Sequence, residues 1–300
     1  MKENLYEKVR YLDTLTDTEK LIRGDRNKKS SIRAYYRLNH ALYRRHHSQE
    51  GFMHFRVTEG GLDPEGDIRY QANTAARFIK DGDRVLELGC GQGANLRHLA
   101  SLFPGASFTG VDLSPSMKKN NPSNVTVSER DYNSLPEFSD GYFDVIIAIE
   151  TIVHNTDKNR TFREIKRLLK PGGTLVVYDY VLMKPFSDHT PEEKTAIELI
   201  SKGGACAVIE PKSDWDAYFD RFGFETVSAR DIREEMLPDL KRLAEKAARI
   251  LEGKPRLAKA AFRLAPRHMT NNVIIGYLGY DACRDSVMIY REWIVRKPTV

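Results

Sequence analysis

Between residues 84 and 182 the chain alternates short β-rich runs with helical ones. The β-rich runs are RVLELG, SFTGVDL, VTVSERD, FDVIIAIE and TLVVYDYVL. Between them stand NLRHLASLF, a turn and short helix at SPSMKKN, and the helical KNRTFREIKRLLK. Near-continuous Val, Ile and Leu strands separated by helices belong to a parallel sheet covered on both faces. The chain is thereby constrained to a doubly wound α/β fold. Pro171, Gly172 and Gly173 are expected to stop the preceding helix and open the fifth strand. FETVSARDI is a further strand candidate, and the closing VMIYREWIVRK alternates enough to be a strand at the sheet edge.

The flanks read as helical. Residues 1–68 form an expected amino-terminal cap, with TEGGLDPEGD as a loop or a lid hinge, residues 69–185 the core, and residues 186–300 a helical insertion plus the last strands. No apolar stretch reaches the roughly 18 residues of a membrane-spanning helix. Three cysteines without metal-ligand spacing favour reduced thiols, a cytoplasmic location and no metal site.

The net charge of +5 is concentrated: nine Lys/Arg against two acids in 23–56, and nine against three in 236–267. No recognition motif accompanies this charge, so nucleic acid is not expected as a partner. For 236–267 a solvated helix face is the first reading, and docking on an anionic membrane the second.

VLELGCGQGANL sets Gly89, Gly91 and Gly93 between a strand and a helix, where backbone turns sharply and approaches a ligand. Read literally it also fits a dinucleotide loop, with Asp112 at ribose distance. Three acids favour a different ligand. Glu87 precedes the first glycine where an acid can face an ammonium group, Asp112 ends the second strand where it can accept ribose hydroxyls, and Asp131 ends the third where it can accept an adenine amino group.

With LLKPGGTLVVYDY, these motifs resemble the class I methyltransferases over roughly residues 70–185. That resemblance implies S-adenosylmethionine as cofactor, held by Glu87, Gly89, Gly91, Gly93, Asp112, Leu113, Asp131, Tyr132 and Ile149. It also implies a seven-stranded, mostly parallel, Rossmann-like sheet, with a helical cap and a helical insertion before the last strand.

FDVIIAIETIVHNTD, followed by the strand ending in Tyr178, Asp179 and Tyr180, resembles the sterol C24-methyltransferases and related terpenoid C-methyltransferases. AYYRLNHALYRRHHSQEGFMHF resembles their cap. On this resemblance Glu150 is the base, His154 orients the site or binds substrate, and Tyr35, Tyr36 and Tyr178 shield a carbocation formed on an isoprenoid alkene. Tyr180 adds a further aromatic face. Arg44, Arg45, His46 and His47 replace the aromatic, glycine-rich stretch of sterol enzymes, and this cationic patch suits a diphosphate. A small-molecule N- or O-methyltransferase and a methylation-coupled cyclase stand as alternatives. A helical cap of this kind can also pack against a second subunit.

Overall fold

The structure is a computed structural model that describes residues 2–23, 48–59, 64–114 and 121–299. Tyr35, Tyr36, Arg44, Arg45, His46 and His47, and most of the short helix expected at SPSMKKN, lie outside the described residues.

The described elements run α1 (Leu5–Leu15), α2 (Thr18–Ile22), α3 (Pro64–Ala76), β1 (Arg84–Leu88), α4 (Ala94–Leu102), β2 (Ser107–Asp112), β3 (Val125–Glu129) and β4 (Phe143–Ile149). There follow α5 (Lys158–Leu168), β5 (Leu169–Leu182), α6 (Pro191–Gly203), α7 (Lys212–Arg221), β6 (Glu225–Asp231), α8 (Arg233–Leu251), α9 (Pro255–Leu264), α10 (Arg267–Arg284) and β7 (Met288–Arg296). The strands form one seven-stranded sheet in the order β3-β2-β1-β4-β5-β7-β6. β1 to β5 pair in parallel and β7 runs antiparallel to both its neighbours. This is the seven-stranded architecture expected from the sequence.

The apolar run of β4 divides between two cores. Val145, Ile147 and Ile149 face one and Ile146 and Ala148 the other, so no residue of the run is left for water. On the second face Phe162 of α5 and Trp215 and Phe219 of α7 close the layer, with Trp215 stacked on Trp293 of β7 at 4.9 Å. α5 begins where the Asp157 side chain accepts from the Arg160 N–H and buries Phe162, Ile165 and Leu168.

Two boundaries differ from expectation. The fifth strand starts at Leu169, and Pro-Gly-Gly lies inside it rather than at a helix stop. Gly172 has φ +76° and its N–H bonds the Lys297 carbonyl, while a Cβ at Gly173 would fall 2.9 Å from the Asp144 carbonyl oxygen. The glycines thus let an irregular strand pass close to β4, whose register shifts at Phe143/Val145. The closing strand is not at the edge. Met288–Val295 is buried throughout between β5 and β6, and the largely exposed β6 takes the edge.

The helices α8, α9 and α10 fill the interval between β6 and β7, as expected for an insertion before the last strand. The amino-terminal helix packs on this insertion: α1 lies against α6 and α10, and buried Lys8 pairs with Asp281 and donates to the Tyr277 carbonyl at 3.1 Å.

Candidate active site

The strand order reverses between β1 and β4, and ligands of open α/β sheets bind there, beyond the carboxyl ends of the strands. β1 delivers Glu87 and the glycine loop to that point. Gly89 has φ +66°, and a Cβ there would fall 1.9 Å from Thr151 Oγ1, so only glycine fits. The Gly91 N–H donates to Asp112 Oδ2 at 3.0 Å, and Ser114 N–H to Asp112 Oδ1 at 2.7 Å, which ties the loop to the end of β2.

Glu87 is only 2 % exposed. Its Oε1 accepts from Asn95 Nδ2 at 2.8 Å, while Oε2 has no hydrogen-bond partner among the described residues. Burial, reinforced by the nearby Asp112 charge and opposed by the Asn95 bond, pushes its pKa up to about 8. The Asn95 oxygen in turn meets His54 Nε2 at 3.1 Å.

At the end of β4 the backbone turns through Glu150 at φ +48°, a left-handed conformation uncommon for a side chain of that size. The turn is fixed from both sides: Glu150 N–H donates to the Tyr178 carbonyl at 2.7 Å, and its Oε1 accepts from Phe55 N–H at 2.9 Å. Tyr290 and Tyr180 stand beside the carboxyl and favour its charged form. Burial dominates, the Asp179 charge adds to it, and Glu150 too is raised to about 8.

Fully buried Asp179 accepts from Val153 N–H at 2.9 Å and Tyr180 N–H at 3.0 Å, holding the short turn Ile152–His154 against β5. His154 Nδ1 donates to the Ala205 carbonyl at 3.0 Å, and burial keeps its pKa below the usual histidine value.

Glu87, His54, Asn95, Glu150 and His154 open on one cavity of about 520 Å³. It begins at the glycine loop, passes Glu150, His154 and Tyr180, and ends between α8 and α10. Of the expected site residues, Glu87, Gly89, Gly91, Asp112, Leu113, Asp131, Tyr132, Ile149, Glu150, His154 and Tyr180 line it. Gly93 does not, but stands at the amino end of α4 with φ +67°.

Tyr178 does not line the cavity either, which corrects its expected place as a cation shield. A strand alternates faces with period two, so Tyr178 shares a face with Tyr180 but lies one pleat deeper. There it is fully buried, donates to Glu292 Oε2 at 2.6 Å and stacks on Tyr290.

The sequence reading assigned no site role to Phe52, Met53, His54 and Phe55, a strap that lines the cavity over the glycine loop. It had placed them only within the cap. Tyr290 was also missed: it pairs directly across from Tyr180, which is legible only once β7 is known to lie beside β5.

Residues 79–223 match the model of a methyltransferase domain. The core is similar to a methyltransferase domain. Sterol 24-C-methyltransferase of Schizosaccharomyces pombe is 29 % identical over 223 residues, which cover 71 % of this chain and 58 % of that one. The chain spans about half the length of the curated relatives it matches. Among solved structures, the [4+2]-cyclase SpnF superposes with TM-score 0.66 at 20 % identity, covering 92 % of this chain and 98 % of its own. A geranyl diphosphate methyltransferase, solved with GPP and sinefungin, gives 0.65 at 16 %, covering 89 % and 98 %. At such identities the structural likeness is one of fold.

S-adenosylmethionine, the cofactor of this domain class, fits the residues present. Glu87 Oε2 is a buried acceptor without a partner among the described residues and suits the ammonium group. The glycine loop leaves room for close backbone approach, and Asp112 and Asp131 reach the same cavity from the ends of β2 and β3.

Proposed function

We propose that the chain methylates an alkene carbon of an isoprenoid small molecule, with Glu150 as the base that ends the reaction. The observation that carries this reading is the Glu150 carboxyl itself. It is held in a strained turn, among Phe55, Tyr180 and Tyr290, on the same cavity as the cofactor residues.

Bound S-adenosylmethionine supplies an electrophilic methyl group, whose transfer to an alkene carbon leaves a positive charge on the neighbouring carbon. Glu87, Asp112 and Asp131 would hold the cofactor by its ammonium, ribose and adenine groups. Tyr180, set edge-on to Phe55 with ring centres 6.0 Å apart, presents an aromatic face to that charge. Glu150 then takes a proton from the adjacent carbon, and the C–H electron pair restores a double bond. A pKa near 8 leaves this carboxyl largely protonated at neutral pH until a positive charge enters the cavity and favours the carboxylate. His154, tied to the Ala205 carbonyl, orients the turn that carries Glu150.

The sterol methyltransferase relative and the prenyl-type fold neighbour support an isoprenoid acceptor. So do the largely aliphatic walls between α8 and α10, where Lys246 is the one Lys or Arg among the described lining residues. The cationic stretch Arg44–Arg45–His46–His47 remains part of the proposal as the site for a diphosphate.

The test is mass spectrometry of the purified chain with S-adenosylmethionine and a panel of prenyl diphosphates, free prenols, sterols, a prenylated indole, amines and phenols. A single methyl gain on an isoprenoid supports the proposal. Gain only on amines or phenols refutes it in favour of N- or O-methylation. A methylated product with one double bond fewer than simple methylation requires identifies coupled cyclisation.

A further inference from the structure

The cavity continues past the reacting groups into the seam between α8 and α10. Helix α10 presents Asn272, Gly276, Gly279 and Cys283 to it, one stripe at helical spacing. Glycine is the weakest helix former after proline, so two glycines in a helix interior need a reason.

Backbone strain is not the reason, because neither residue has positive φ. Close packing is not the reason either. A Cβ at Gly276 would meet the Leu243 carbonyl oxygen at 3.5 Å and Ala247 Cβ at 3.6 Å, and one at Gly279 would meet Leu240 Cδ2 at 3.7 Å. Those are ordinary van der Waals contacts. Gly203 of α6 is the contrast, since its Cβ would press on Ile275 at 2.9 Å.

What the missing side chains leave is volume, in the same cavity that Glu87, whose Oε2 has no partner among the described residues, lines at its cofactor end. The opposite wall is Leu240, Leu243 and Ala247 of α8, and exposed Lys246, Ile250 and Met269 mark its outer end.

We infer that the α8–α10 seam holds the apolar chain of the substrate and that Gly276 and Gly279 set the greatest chain length it admits. This rests on the reading of the cavity as a substrate site and adds the residues that gauge the substrate. Filling the glycines shortens the seam in steps, by a methyl group each in the alanine variants and by more in Gly276→Leu.

The experiment measures binding rather than turnover, so that it stands apart from the methylation chemistry. A graded series of prenols and a graded series of saturated alkanols are titrated into the full chain by calorimetry, with S-adenosylhomocysteine present. Wild type is compared with Gly276→Ala, Gly279→Ala, the double variant and Gly276→Leu, and melting temperatures are recorded alongside. Each alanine should raise the melting temperature by about 2 °C. The longest ligands should lose about tenfold or more in affinity while the shortest are unchanged, and Gly276→Leu should lower the cutoff further.

Alkanols showing the shifted cutoff while prenols do not bind would sustain the gauge and sink the isoprenoid reading. Alanine variants that melt lower than wild type would make these packing glycines and overturn the inference. So would an unmoved cutoff, or failure of both series to bind wild type.

Discussion

Replacing Glu87 by Gln should move stability and cofactor affinity in opposite directions. Glu87 is buried beside Asp112 with one oxygen unpartnered, and its pKa rises from 4.5 to about 8 on folding. Between those values the folded chain holds a proton that the unfolded chain has released, so stability falls as pH rises through this window. At pH 7 the penalty is about 3 kcal/mol, taking about 1.4 kcal/mol for each unit of displacement. Glutamine escapes this penalty and keeps an oxygen for Asn95, so Glu87→Gln should stabilise the cofactor-free chain by about 1–3 kcal/mol at pH 7 to 8. Near pH 5 the gain should shrink, because wild-type Glu87 then carries its proton at little cost. The same change removes the charge meant for the cofactor's ammonium group, and should weaken S-adenosylmethionine binding about 10- to 100-fold. Thermal melts at pH 5 and 8 and calorimetric titration of the cofactor measure both effects. A variant that melts lower at pH 8, or binds the cofactor as tightly as wild type, would refute this use of Glu87.

Glu150→Gln should cut turnover about 10²- to 10⁴-fold while leaving cofactor affinity within a fewfold of wild type, as loss of a general base does. Since that carboxyl must be ionised to act, wild-type kcat/KM should rise with pH towards a plateau above about 8, and a flat profile from pH 6 to 9 would contradict its role. Tyr178→Phe leaves buried Glu292 short of a donor and should cost about 1–3 kcal/mol in a denaturant melt, without altering the pH profile. The exposed Leu257 and Leu264 of α9, among Arg256, Lys259 and Arg263, should bring the chain down with anionic liposomes at low salt and release it at high salt. Leu257→Asp with Leu264→Asp should abolish co-sedimentation, and equal co-sedimentation by that variant would exclude this face.

The core was legible because its constraints are local in the chain. The apolar run ending at Ile149 must be covered on both faces, and Gly89, Gly91 and Gly93 all take positive φ in the turn between β1 and α4. Strand ends then carry Glu87, Asp112 and Glu150 to one cavity, wherever the rest of the chain goes. What could not be read depends on partners distant in sequence. Whether Tyr178 or Tyr180 reaches the cavity turns on one pleat of β5, and Tyr290 becomes its neighbour only through an antiparallel pairing across the insertion. The strap Phe52–Phe55 has no periodic signature, and bonds to residues far along the chain help set its place, among them Phe55 to Glu150, Gln71 to Phe55 and His54 to Asn95. The Pro-Gly-Gly turn misled for a similar reason, since besides Leu169 and the Lys170 carbonyl a carbonyl of β4 closes on the place of a Gly173 Cβ.

The most direct test of the central claim is the fate of one hydrogen. An isoprenoid that the chain methylates would be deuterated at the carbons flanking the accepting alkene, and the product examined by mass spectrometry and NMR for wild type and Glu150→Gln. The account predicts that wild type adds one methyl group at carbon, loses one deuteron from a flanking position and retains the double-bond count, while Glu150→Gln forms little of this product. A methyl group on oxygen or nitrogen with every deuteron retained, or full activity in Glu150→Gln, would contradict it.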